Sequence, residues 1–198
     1  ESKFGTAILT ETPRVPYRES ITKNSDGHYR HKKQTGGAGQ FGEVYLRIEP
    51  YLDDIFDFAD ELVGMNLSKS YLAPIEKGIK ASLEQGVIAG YPMGNVRVIV
   101  YDGKMHEVDS KPMAFEIAGR EAFKLAVQNA GPVLREPIMM VKITVPEASM
   151  GDILGDLNTR RARVQGMEQE TGKSIVTAEV PQAEMLRYVT DLRSMTQG

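Results

Sequence analysis

Cysteine is missing from all 198 residues. That absence excludes disulfide staples and thiolate metal centres, and it fits a reducing cytosol. Long apolar runs are missing too. The stretch Val96 to Tyr101 is among the longest, and Arg97 interrupts it. Nothing approaches the ~20 residues that a membrane-spanning helix needs. No basic segment followed by an apolar core stands near the first residue, so no signal peptide is visible. The pattern G-x-x-x-x-G-K-[ST] occurs nowhere, which excludes a P-loop nucleotide site from this chain. Excess positive charge is also lacking. The formal net charge is -3, which argues against a nonspecific nucleic-acid coat.

What is present is ordinary in bulk and uneven in detail. Hydrophobic residues make up 41% and charged residues 26%, a balance typical of one large or two small globular domains. Between Arg14 and Arg47 lie seven Lys or Arg and only three acids, Glu19, Asp26 and Glu43. Asp53, Asp54, Asp57, Asp60 and Glu61 follow. A local basic face attracts phosphate even on an acidic chain, although solvated strand faces would carry the same charges.

The chain divides by pattern. Residues 1–12 read as the trailing strand of an upstream domain, with no local partner. Val15, Tyr17, Glu19 and Ile21 alternate with polar neighbours, a strand period. His28 to Thr35 is polar and extended. A glycine-rich turn, Gly36-Gly37-Ala38-Gly39, leads into Gly42, Val44, Leu46 and Ile48 on one strand face. Phe41, Glu43, Tyr45 and Arg47 take the other face. The pattern predicts a hairpin with a glycine-rich tip. Phe56 and Phe58 mark a further strand. Leu72, Ile75, Ile79 and Leu83 have helical spacing, with Pro74 in the first turn and Gly86 as the stop. Val96, Val98 and Val100 form a strand, and Asp102-Gly103 is read as the start of a turn. A second helix follows, with Ser110 as its N-cap, Pro112 in the first turn and Gly131-Pro132 as terminator. Its small residues Ala118, Gly119, Ala122 and Ala126 predict close approach to a sheet.

A break in composition at Gly131 to Pro137 separates a second pattern. Val141, Ile143 and Val145 form a strand face. Met150, Ile153, Leu154 and Leu157 form a helical stripe. Residues 163–169 and 173–180 form a hairpin about Thr171-Gly172, and Met185, Leu186, Val189 and Leu192 form another stripe. The order β-α-β-β-α is a ferredoxin-like βαββαβ unit without its last strand. That strand would lie at a sheet edge, so the chain is expected to continue past Gly198. The expected fold class is α+β in two domains, with residues 13–133 in the first and 134–198 in the second.

Several motifs carry competing meanings. Gly37-Ala38-Gly39-Gln40-Phe41-Gly42-Glu43-Val44 matches the kinase pattern G-x-G-x-x-G-x-V. The partner motifs of a kinase are absent, and a hairpin tip able to approach a large ligand closely explains the glycines. His106, Asp109 and Ser110 have the residue types of a hydrolytic triad but stand within five residues, without a visible oxyanion site. His28 and His31 lack a third metal ligand. Gly151 and Gly155, one helical turn apart, are read as contacts to the sheet. Arg160, Arg161 and Arg163 either complement the negative end of a helix or bind RNA phosphates.

Six segments, in collinear order, resemble elongation factor G. Gln34-Thr35-Gly36-Gly37-Ala38-Gly39-Gln40-Phe41-Gly42 resembles the Q-[ST]-G-G-R-G-Q-[YF]-G tip loop of its domain IV. Ala89-Gly90-Tyr91-Pro92 resembles its [AI]-G-[YF]-P segment. Tyr101-Asp102-Gly103-Lys104-Met105-His106-Glu107-Val108-Asp109-Ser110 resembles its second tip loop, Y-D-G-S-Y-H-x-V-D-S. Leu134-Arg135-Glu136-Pro137-Ile138-Met139, residues 151–161 and residues 192–198 resemble domain V signatures.

The resemblance implies a tail of domain III, then an elongated α/β domain IV with a left-handed βαβ crossover, then a ferredoxin-like domain V. It implies a cytoplasmic, monomeric ribosome-binding part of a translocation GTPase, with no membrane partner. Domain IV would reach the small-subunit decoding site, where tRNA and mRNA move, and domain V would face large-subunit RNA. No cofactor is expected in this chain. GTP and Mg would belong to a separate N-terminal domain, so the chain by itself is not expected to be an enzyme. The implied tip is Gly36, Gly37, Ala38, Gly39, Gln40, His106, Glu107, Asp109 and Ser110. Arg30, Lys32, Lys33, Lys104, Arg160 and Arg161 would supply supporting positive charge. Two departures touch that tip: Ala38 replaces the family arginine, and Lys104-Met105 replaces S-Y. They leave room for a paralogue acting in ribosome disassembly or rescue. A standalone phosphate-binding enzyme using residues 37–42 is a third reading.

Overall fold

The computed structural model describes residues 11–34 and 39–196. The expected strand in residues 1–12 therefore falls almost entirely outside the described residues. The chain forms two compact units. One spans Tyr17–Arg135; the other spans Glu136–Gly198 and includes Glu1–Pro16.

The first unit contains β1 (Arg18–Ile21), β2 (Ser25–Lys33), β3 (Gln40–Pro50) and β4 (Phe56–Asp60). Then come α1 (Leu72–Gln85), β5 (Val96–Lys104), α2 (Pro112–Asn129) and β6 (Pro132–Arg135). The main sheet has the order β2-β3-β5-β4. Its first three strands pair antiparallel, whereas β4 runs parallel to β5 and reaches it through α1. Such a parallel connection needs a crossover element, and α1 supplies it.

Alternation explains the sheet's buried face. Val44, Leu46 and Ile48 of β3 and Val96, Val98 and Val100 of β5 are fully buried. Phe115 and Phe123 of α2 complete the core with Ile75 and Ile79 of α1. Each such side chain contributes roughly 1.5–3 kcal/mol through burial. Pro74 sits in the first turn of α1, and Gly86, at φ 76°, ends the helix in a conformation that favours glycine. The small residues of α2 serve two contacts rather than one. Ala122 and Ala126 meet Gly27 of β2, as expected for a sheet contact. Gly119 faces Ile75 of α1 instead, and Gly78 of α1 lies on the backbone of Glu116.

Three local expectations change. The strand β1 is shorter than the alternating pattern, and Glu19, Ser20 and Ile21 are all buried. It pairs with β6 in a separate two-stranded sheet, so the segment read as a break in composition closes the first unit. Asp102-Gly103 does not start a turn. A bulge at Tyr45/Leu46 lets β5 continue to Lys104 opposite Glu43. The N-cap of α2 is Lys111, without a side-chain cap, and Ser110 has other partners.

The second unit contains β7 (Ile138–Pro146), α3 (Met150–Thr159), β8 (Arg163–Glu170), β9 (Lys173–Pro181) and α4 (Tyr188–Thr196). The antiparallel sheet has the order β7-β9-β8, the ferredoxin-like arrangement without a fourth strand among the described residues. Ile143, Val145, Val176, Ala178 and Val180 pack against Ile153, Leu157 and Tyr188. Gly172 turns the β8–β9 hairpin at φ 76°. Two expectations fail here. A Cβ at Gly151 or Gly155 would meet nothing within 4 Å, so neither glycine contacts the sheet. Val189 is 63% exposed because a 3-10 turn at Gln182–Met185 shifts the helical phase, and Tyr188 takes the inward position.

Candidate nucleic-acid interface

The hairpin β2–β3 and the loop after β5 converge at one end of the first unit. The Phe41 amide donates to the Asp109 carbonyl at 2.9 Å. The Ser110 hydroxyl donates to the Phe41 carbonyl at 3.0 Å. Gly39 lies against the Asp109 carboxyl group, where an added Cβ would come within 2.8 Å of Cγ. A side chain there would push the Asp109 carboxyl group aside. The Phe41 and His106 rings are 6.3 Å apart between centroids. The two predicted tip loops are thus joined by one backbone bond and one bond from the Ser110 hydroxyl. Gly36, Gly37 and Ala38 lie outside the described residues.

The second loop is organised from within. The His106 amide donates to Ser110 Oγ at 2.8 Å, and the Ser110 amide to the His106 carbonyl at 3.1 Å. His106 Nδ1 accepts long bonds of 3.4 Å from the amides of Val108 and Asp109. This assigns the proton of a neutral ring to Nε2. The Asp109 carboxylate stands 3.7 Å from Nδ1. Ser110 Oγ bonds backbone rather than imidazole, so the residue types of a triad do not make one. A third segment braces the loop: the Met105 amide donates to the Asn66 carbonyl at 3.2 Å, and Tyr71 Oη donates to the Ser110 carbonyl at 3.2 Å. His106 and Glu107 stay exposed, while Asp109 and Ser110 are half-buried. Gln40 is half-buried and accepts from His31 Nε2 at 3.0 Å.

The predicted supporting cations divide into two groups. Lys32, Lys33 and Lys104 are exposed and have no ion-pair partner among the described residues. Lys32 stands opposite Phe41, and Lys33 opposite Gln40, close to the joined loops. Arg30 is different. Its Nε and Nη2 bond the buried Glu43 carboxylate at 3.0 and 3.2 Å. His28 Nε2 and Tyr45 Oη reach the same group at 2.7 and 3.0 Å. Burial pushes the Glu43 carboxyl up, but bonds from Arg30, His28 and Tyr45 outweigh it and hold the group below the usual range. Arg30 therefore neutralises an internal carboxylate.

Arg160 and Arg161 also fall away as phosphate contacts. Arg160 bonds Asp156, Asp191 and the Glu184 carbonyl at 2.7–2.8 Å and lies over the Tyr188 ring. Arg161 forks onto Glu136 at 2.6 and 3.1 Å and reaches Glu184 at 3.0 Å. Their partners are carboxylates and, for Arg160, the Glu184 carbonyl, rather than the carbonyls that end α3. Hydrogen bonds from these partners hold both above the ordinary arginine range.

The other motif readings meet the same test. A Cβ at Gly42 would come within 3.1–3.2 Å of the Ala114–Phe115 backbone. That glycine admits α2 rather than a phosphate. Among the described residues no group of three His, Cys, Asp or Glu could hold a metal ion. Glu19 was missed in the sequence. Its buried carboxylate accepts amides from Val87, Ile88, Ala89 and Tyr91 at 2.6–3.2 Å. Nothing in an alternating strand marks one polar residue as an anchor for a loop 70 positions away. Asn66 was also missed, and only Gly64 hinted at a loop there.

The family model described as Elongation factor G, domain IV matches residues 13–131. The model described as Elongation factor G C-terminus matches residues 133–198. The chain is also similar to a crystal structure of a protein from Thermus thermophilus, at 46% identity and a TM-score of 0.84. That match covers 95% of this chain and 28% of the other. No helix of the described residues is long and apolar enough to cross a membrane.

Proposed function

The chain belongs to the elongation factor G family, and from that premise we propose that it is the ribosome-engaging part of a translocation GTPase. The first unit acts as a wedge whose joined loops enter the decoding site as tRNA and mRNA move. The second unit faces large-subunit RNA. GTP and Mg are handled by another part of a longer cytoplasmic protein, and this chain performs no chemistry itself.

The observation that carries the proposal is the joining of residues 39–41 to residues 106–110, with His106 exposed on a braced loop. Braced loops hold contacts in place at low entropic cost. The His106 ring offers an Nε2–H donor and an aromatic face, both suited to unstacked nucleotides. Lys32, Lys33 and Lys104 supply phosphate attraction beside it.

The test uses the full-length factor in a single-round translocation assay. His106→Ala is expected to slow translocation at least tenfold without changing thermal stability. Lys32→Ala with Lys33→Ala is expected to flatten the log–log salt dependence of ribosome binding by about one to two. Wild-type translocation by His106→Ala and an unchanged salt slope would overturn the proposal. Lys104-Met105 at the tip motivates a second reading, a paralogue that splits ribosomes. Splitting activity without translocation in the wild-type factor would favour it.

A further inference from the structure

We propose that Tyr71 is a positioning residue for His106: its hydroxyl fixes Ser110, and Ser110 fixes the loop that carries the imidazole. The assignment rests on the function given above and names a residue, remote from the tip motifs, through which the joined loops keep their shape.

Residues 66–71 brace the second loop at both of its ends. At one end Leu67 is buried against Gly103, where an added Cβ would come within 2.7 Å of Leu67 Cδ2. The Asn66 carbonyl accepts the Met105 amide there at 3.2 Å. At the other end Tyr71 Oη donates to the Ser110 carbonyl at 3.2 Å. The bracing segment is itself held. The Tyr71 amide donates to the Ser68 carbonyl at 3.0 Å, Ser68 Oγ accepts the Ser70 amide at 3.3 Å, and Lys69 pairs with Asp60 at 3.0 Å. Any residue could supply the carbonyl of Asn66. The bond to Ser110 needs a side-chain hydroxyl at this reach, so the identity of Tyr71 matters.

The tyrosine joins core to loop. Its ring stacks on Phe115 of α2, with centroids 4.1 Å apart and planes 27° apart, and Phe115 is fully buried. Its backbone leads directly into α1. An aromatic ring anchored in the core with a polar tip outside transfers the rigidity of both helices to the loop. The loop has no equivalent anchor where it enters α2, because Lys111 makes no side-chain cap.

Ser110 passes the constraint on. Its Oγ accepts the His106 amide at 2.8 Å and donates to the Phe41 carbonyl at 3.0 Å. Its own amide donates to the His106 carbonyl at 3.1 Å. A hydroxyl has one proton, so the two Oγ bonds together require one orientation of the serine side chain. The Tyr71 bond fixes the backbone from which that side chain springs. Contacts from Phe115 through Tyr71 and Ser110 thus reach His106.

The test compares Tyr71→Phe with wild type. The substitution keeps the ring and removes the hydroxyl. In the 198-residue chain, the His106 and Ser110 amides are expected to exchange hydrogen roughly three- to tenfold faster, as the loss of one hydrogen bond implies, while amides of α1 and α2 stay unchanged. In the full-length factor, translocation at saturating factor is expected to slow by the same roughly three- to tenfold. Ribosome affinity is expected to stay within about twofold, because Lys32, Lys33 and Lys104 still attract phosphate. Tyr71→Phe combined with His106→Ala is expected to match His106→Ala alone. Unchanged exchange at His106 and Ser110 would overturn the assignment. So would additive slowing in the double variant, faster exchange throughout α1 and α2, or wild-type translocation by Tyr71→Phe where His106→Ala is slow. Faster exchange at the two amides, with wild-type translocation by both single variants, would leave the positioning by Tyr71 standing and overturn the proposed function instead.

Discussion

Glu19→Gln removes one charge at nearly constant volume, and four backbone amides report the loss. In the native unit Oε2 accepts from Val87 and Ile88, and Oε1 from Ala89 and Tyr91. A carboxamide has one acceptor oxygen and one NH2 donor. Whichever way it turns, two amides face another donor. Each orphaned buried donor costs about 1–3 kcal/mol, and the two surviving bonds lose their charge assistance. Residues 88–90 are exposed, so water reaches part of the freed backbone and keeps the cost near the lower end. The expected loss is about 3 kcal/mol, a large part of the ~5–15 kcal/mol that stabilises a domain. It should lower the melting temperature of the first unit by roughly 10 °C. Urea unfolding measures the loss, and hydrogen exchange at Val87, Ile88, Ala89 and Tyr91 locates it. Dependence on pH gives a second reading. Burial pushes this carboxyl up, but the four amides outweigh it and hold the group below the usual range. The group thus contributes stability above the ordinary glutamate value of ~4.3, and that stability is lost as pH falls through the lower folded value. Wild type should therefore lose stability over this acid window more steeply than Glu19→Gln. A variant within about 0.5 kcal/mol of wild type, with the four amides still protected, would refute the reasoning.

Two further substitutions probe glycines in opposite settings. At Gly27 an added Cβ would collide with the Ala122 carbonyl of α2. Gly27→Ala should cost about 3 kcal/mol by forcing helix and sheet apart, and a calorimetric change under 1 kcal/mol would show that the contact yields. At Gly155, inside α3, the space is open. Gly155→Ala should stabilise the second unit by about 0.5–1 kcal/mol in urea unfolding, and destabilisation would mean that the site is crowded.

Periodic segments were legible because one physical rule governs them. Val44, Leu46 and Ile48 announced a buried strand face, and Ile75, Ile79 and Leu83 announced a buried helix face. Both patterns depend only on near neighbours in the chain. The β-α-β-β-α order was legible for the same reason. Illegible features depended on distant partners. Glu19 resembles any polar residue on a half-buried strand until residues 87–91 are placed around it. Arg30 resembles a free cation until Glu43 is found beneath it, and Arg160 and Arg161 until Asp191, Glu136 and Glu184 arrive. Ser110 has the residue type of a helix cap, yet its hydroxyl is used between loops. The site followed the same division. His106 and Gly39 could be named from motifs, whereas the bonds joining their loops could not be read from local pattern.

The central claim is that the joined loops lie against RNA of the decoding site. The chain has no cysteine of its own, so in a full-length factor whose remaining cysteines have been replaced, Glu107→Cys places a single thiol on the exposed loop. Iron tethered there in the full-length factor, bound to ribosomes, generates hydroxyl radicals that cut nearby RNA. The account predicts strand breaks concentrated in small-subunit RNA around the decoding site. Breaks confined to large-subunit RNA, or no breaks above those from untethered iron, would contradict it.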